Sequence, residues 1–109
     1  MDLRSLRPLD RETVCASVRK TSRAVVLDDD WLSHGVGAEI SATLMEGFFD
    51  YLDAPVRRVA AAEVPLPYAK PLELAALPNA NDLIRVIREL LDATRFRPQA
   101  AGAIATDVR

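Results

Sequence analysis

The chain has 109 residues, half of them apolar, which is enough for one domain with a core. A formal charge of −2 and scattered lysines and arginines give no broad field for nucleic acid, and no run of residues is long and apolar enough to span a bilayer. The single cysteine, Cys15, makes neither an internal disulfide nor a cysteine-based metal site and suits a reducing compartment.

The first ten residues, MDLRSLRPLD, carry too much charge for a signal peptide. Residues 2–6, with Leu3 and Leu6, read as a short strand that closes at Arg7, because a residue before proline prefers an extended backbone. Asp10 is a good helix N-cap, Glu12 suits a first turn, and Arg19 and Lys20 suit a last one. The predicted helix covers residues 11–20, with Val14, Cys15 and Val18 on its buried side.

Residues 23–28 follow as a strand whose apolar run, Ala-Val-Val-Leu, shows no alternation, as in a parallel sheet covered on both faces. Asp28, Asp29 and Asp30 lie at its carboxyl end, and Gly35 and Gly37 mark a structural turn. Val36, Ile40, Leu44, Phe48 and Leu52 then recur every fourth residue, with Met45 and Phe49 beside them, so residues 36–52 are predicted to form a helix with one apolar stripe. Ala54-Pro55 ends it, and residues 56–60 form the next strand.

Four prolines between residues 61 and 78 predict a loop without regular structure, in which Val64, Leu66, Tyr68, Leu72, Leu74 and Leu77 need cover. Asn79 or Asn81 caps a last helix over residues 82–93. Its apolar positions, Leu83, Ile84, Val86, Ile87, Leu90 and Leu91, cover more than one stripe, so this helix is expected to touch more than its own sheet. Residues 96–109 read as a loose tail after a domain of residues 1–95. Alternating strands and helices predict an α/β protein, a three-layer α/β/α sandwich on a mostly parallel sheet of three strands.

Few residues suggest chemistry. The glycines at 35 and 37 open a helix and could cradle an anion, or simply let the helix sit close to the sheet. Three adjacent acids at a strand end suggest a Mg²⁺ pocket, but the separate phosphoacceptor aspartate and the lysine that such a pocket needs are missing, which favours a solvated acid run. His34 has no Ser or Cys nucleophile to serve and reads as a loop residue; Cys15 reads as a core thiol. Glu39 is placed to hold a loop amide, and Arg57 and Arg58 point to opposite faces of a strand. Tyr68 and its neighbouring prolines form a candidate interface ridge, because a rigid loop loses little entropy on binding.

Several segments in order also resemble one family. DLRSLRPLD, SVRKTSRAVVLDD, GVGAEI, FDYLDAPVRRV, VPLPYAKPLE and LPNANDLI resemble the C-terminal domain of the beta subunit of thiamine-diphosphate-dependent 2-oxo acid dehydrogenases, the pyruvate dehydrogenase branch in particular. The sequence departs from that pattern at Ala61, where the family has glycine, and at Glu63, where it has aspartate. The resemblance implies a transketolase C-terminal-type fold with sheet order 1-3-2-4-5. Residues 2–6 would be its third strand, and the first two strands would be lacking. Residues 2–6 must then either pair directly with residues 23–28 or leave an open edge.

By the same resemblance, thiamine diphosphate and Mg²⁺ bind elsewhere in the parent enzyme, so no catalytic, cofactor or metal residue is expected here. The implied role is assembly in the oxidative decarboxylation of pyruvate to acetyl groups. The implied partners are an alpha subunit, a second beta subunit and the dihydrolipoyl acyltransferase core, with a homo-oligomer as a further state. The surfaces expected to serve are the proline loop, with Val64, Leu66, Tyr68 and Leu72, and the last helix, with Leu83, Ile87 and Leu90. The implied location is bacterial cytoplasm or, in a eukaryote, an organelle matrix. The alternative is a free-standing module binding a small ligand or anion in the 28–37 loop, between Asp28 and Gly37.

Overall fold

The computed structural model describes residues 1–95; the expected tail at 96–109 lies outside them. The elements are α1 (Arg11–Thr21), β1 (Val25–Trp31), α2 (Val36–Phe48), a 3-10 turn (Phe49–Tyr51), β2 (Arg57–Ala61), α3 (Lys70–Ala76) and α4 (Ala80–Arg95). β1 and β2 are parallel neighbours, as a strand-helix-strand unit requires. The chain is an α/β fold on a small parallel sheet.

Local signals set the helix ends. The Asp10 carboxylate accepts from the Thr13 amide at 3.0 Å and from its hydroxyl at 2.7 Å, which starts α1. Ser22, in a left-handed conformation, ends it and donates its amide to Val18. Asn79 caps α4: its side-chain oxygen accepts from the Asn81 and Asp82 amides, while Asp82 accepts from the Asn79 amide.

The main core joins Val14 and Val18 of α1 to Ile40 and Leu44 of α2, with Val26 of β1 packed against them. Cys15 is buried on the same helix. Leu44, at 2% exposure, is the most enclosed. The stripe on α2 holds at Ile40 and Leu44, thins to half-burial at Phe48 and Leu52, and fails at Val36, Met45 and Phe49, which are exposed. α4 packs on both strands and buries Val86 and Leu90, with Val59 of β2 also buried.

Two expectations need correction. Residues 2–6 are not a strand. Arg4 sits at a φ of 58°, and its amide and guanidinium both turn back to the Asp2 carboxylate, which breaks an extended run. Leu6 makes only an isolated bridge to Leu9, so the described sheet has two strands and β1 keeps an edge with no strand neighbour among the described residues. Nor is the proline segment irregular throughout. Pro71 falls in the first turn of α3, where a missing amide costs nothing, and six residues separate it from Pro78.

Candidate functional site

β1 runs three residues past its expected end, and its register slips there: Leu27 faces Val59, but Trp31 faces Ala61. Four steps along β1 match two along β2, so the acids occupy an irregular stretch that re-aims its side chains. Asp28 Oδ2 swings under α2 and accepts the Gly37 amide at 2.7 Å, while Oδ1 accepts the Asp30 amide at 2.7 Å. Asp30 in turn accepts from the Trp31 amide at 2.8 Å. Gly37 permits this contact: a Cβ there would stand 2.5 Å from Asp28 Oδ2. Gly35 has the same need, since a Cβ would run into the Trp31 carbonyl.

The helix N-terminus that could have drawn a phosphate therefore already faces a carboxylate of its own chain. That stands against the anion-cradle reading of the 28–37 loop. Among the described residues no group of three or more His, Cys, Asp or Glu side chains is placed to hold a metal ion.

Three ties from distant residues fix the remainder of the loop. Glu63 Oε1 accepts from the Ser33 hydroxyl at 2.6 Å and from its amide at 3.1 Å. These bonds, the hydroxyl first, hold the Glu63 carboxyl below the usual carboxylate range, with slight desolvation opposing and the nearby His34 adding a small pull the same way. Arg58 Nη1 donates to the Leu32 carbonyl at 2.6 Å. Trp31 Nε1 donates to the Val64 carbonyl at 3.2 Å, which pins the start of the proline segment to the loop.

Glu39, expected to hold a loop amide, is exposed and takes no part in these ties; Glu63 does that work from thirty residues away. His34 is exposed at a φ of 62°, a conformation histidine tolerates better than most residues. Arg57 and Arg58 do point apart: Arg57 pairs with Glu89 of α4 at 3.2 Å, and Arg58 reaches Leu32.

The candidate interface residues divide. Val64, Leu66, Tyr68 and Leu72 are exposed, Tyr68 completely, and Leu74 joins them. On α4, Ile87 is exposed and Leu83 half-buried. Leu90, at 7% exposure, is buried by this chain and belongs to its core, not to a partner surface. Ile84, Ile87 and Leu91 stand at i, i+3 and i+7 and form a second, outward stripe beside the inward one of Leu83, Val86 and Leu90. The spacing shows more than one stripe; only packing shows which residues the sheet takes.

With this parallel α/β arrangement in view, the sequence comparisons define its class. The transketolase C-terminal domain family matches residues 1–83, and the chain belongs to that family. Within it, the chain is similar to the beta subunits of the pyruvate dehydrogenase E1 component. It is 50% identical over 103 residues to the mitochondrial beta-1 subunit of Oryza sativa subsp. japonica, covering 94% of this chain and 27% of that protein. It is 56% identical over 85 residues to the mitochondrial beta-1 subunit of Arabidopsis thaliana, covering 78% and 23%. It is 47% identical over 90 residues to the beta subunit of Rickettsia conorii, covering 83% and 28%. The chain thus spans about a quarter of the length of these relatives. Among the described residues no helix is long and apolar enough to cross a membrane.

Proposed function

We propose that this chain, as a domain of residues 1–95, serves as an assembly domain of a pyruvate dehydrogenase E1 beta-type subunit. It would associate with an alpha subunit and a second beta subunit and dock the dihydrolipoyl acyltransferase core in the oxidative decarboxylation of pyruvate. The observation that carries this reading is the exposed apolar surface of Leu66, Tyr68, Leu72 and Leu74, tied to the 28–37 loop through Trp31. The Trp31 bond holds the start of this segment at Val64, which lowers the ordering cost of that end on binding. The outward stripe of α4 adds a second apolar face.

The parent enzyme would use thiamine diphosphate and Mg²⁺, in bacterial cytoplasm or an organelle matrix. The residues of this chain do not fit the diphosphate: the helix N-terminus nearest to such a role faces Asp28. Bond-breaking is therefore assigned to other parts of such a subunit. Size-exclusion chromatography with light scattering tests the reading, using the 109-residue chain mixed with a pyruvate dehydrogenase E1 alpha subunit. Co-elution that Leu66→Asp abolishes is the expected result. A stable monomer that ignores the alpha subunit and the acyltransferase core would overturn it.

A further inference from the structure

The proline segment after β2 carries an inference that rests on the assembly reading and names the kind of surface that meets it. Pro65 and Pro67 fix their own φ at about −65°, and Val64 and Leu66, each ahead of a proline, are driven to extended backbone. Ala69 closes the run at a φ of −67° and a ψ of 124°. These values lie close to a polyproline II helix, and residues 65–67 form neither α-helix nor strand. Both ends are held. The Val64 carbonyl accepts from Trp31 Nε1 at 3.2 Å, and the Ala69 carbonyl accepts from the Leu72 and Glu73 amides at 3.0 and 2.9 Å as α3 begins. The prolines and these anchors set the backbone here, whatever precedes Met1.

A polyproline II helix has three residues per turn, so side chains three apart share an edge. Val64 and the half-buried Pro67 share one. Pro65 with Tyr68, and Leu66 with Ala69, form the other two, and these four are exposed. The three-fold turn offers no straight row of donors for a partner strand. The ridge is also neutral. None of residues 64–69 is charged at pH 7, and the flanking charges are engaged, Glu63 by Ser33 and Lys70 by Glu73 at 2.8 Å. A convex, uncharged ridge of flat rings and one leucine complements a concave, uncharged cleft walled by aromatic side chains, between which the proline and tyrosine rings lie flat. We infer that residues 65–69 are a preformed polyproline II ridge, taken up by an uncharged, aromatic-lined cleft on a different polypeptide. A second copy of this chain does not supply that cleft from its described residues. Its aromatic pair Phe48 and Tyr51, 6.5 Å apart, is covered by the Arg19 guanidinium, 5.8 and 5.1 Å from the two ring centres.

The test titrates the full 109-residue chain by calorimetry against a pyruvate dehydrogenase E1 alpha subunit and against the acyltransferase core. Two capped peptides compete for whichever partner binds: Val-Pro-Leu-Pro-Tyr-Ala, and Val-Ala-Leu-Ala-Tyr-Ala, which keeps the leucine and tyrosine without the prolines. The proline peptide is expected to compete roughly tenfold or more better than the alanine one. A chain carrying Pro65→Ala and Pro67→Ala is expected to bind roughly tenfold or more weaker with its circular dichroism unchanged; if it loses its fold, the peptide pair decides. Equal competition by the two peptides, or wild-type affinity in the folded double variant while Leu66→Asp abolishes binding, would overturn the ridge and leave the assembly reading standing. Binding of the wild-type chain to neither partner would overturn both.

Discussion

Replacing Gly37 with alanine should invert the usual rule for helices. In a helix, alanine is better than glycine by up to about 1 kcal/mol. At this position the new methyl would stand 2.5 Å from Asp28 Oδ2, so the carboxylate must leave the Gly37 amide. A hydrogen bond to a charged acceptor contributes about 1.5–3 kcal/mol. Set against the full propensity gain, Gly37→Ala should destabilise the chain by about 0.5–2 kcal/mol, a fall in Tm of about 4–8 °C per kcal/mol. In an Asp28→Ala background there is no carboxylate to expel, and the nearest remaining side-chain atom, Val26 Cγ1, is 3.4 Å from the new Cβ. The same substitution should there be neutral or stabilising by up to about 1 kcal/mol. Urea unfolding of the four proteins, followed by circular dichroism with unchanged m-values, measures both terms. Equal destabilisation in both backgrounds would refute the reasoning, because the glycine would then serve its own backbone and not Asp28.

Leu44→Ala, at the most enclosed core position, should cost about 2–5 kcal/mol and show as a large loss of Tm. Tyr68→Ala should leave Tm unchanged, since the ring is fully exposed, yet weaken association with an alpha subunit in light scattering. Asp10 is held below the usual carboxylate range by the Thr13 hydroxyl and then its amide, and Glu63 by Ser33. A lowered native pKa gives stability that is present above the unfolded value, about 4, and lost as pH falls through the native one. In urea unfolding from pH 6 to pH 2.5, the stability gap between the wild type and an Asp10→Ala, Glu63→Gln variant should therefore close in acid; a constant gap would contradict it. Glu63→Gln alone should speed amide exchange at Ser33, read by NMR, with α1 unaffected.

How much of this was legible follows from the range of each interaction. Asp10 was readable as a cap, and the cap of α4 was narrowed to Asn79 or Asn81, because a cap acts within three residues of itself; the structure settles on Asn79. The α2 stripe was readable at Ile40 and Leu44 for the same reason, since helical period alone puts them on one side. α3 was readable too, had Pro71 been taken as a first-turn residue instead of a breaker. Residues 2–6 misled because their apolar spacing is that of a strand, while a strand exists only with a neighbour to bond, and the Asp2–Arg4 turn won locally.

Composition and periodicity thus determined the class of fold, the order of α1, α2 and α4, and that α4 carries more than one apolar stripe, because these are properties of nearby residues. The tertiary structure alone decided which face of α4 the sheet takes, that Asp28 occupies the start of α2, and that Glu63, Arg58 and Trp31 hold the 28–37 loop across some thirty residues of sequence. The reason is that a hydrogen bond between distant residues depends on where β1 and β2 place their ends, and the register slip at Asp28 is settled only when the strands pair.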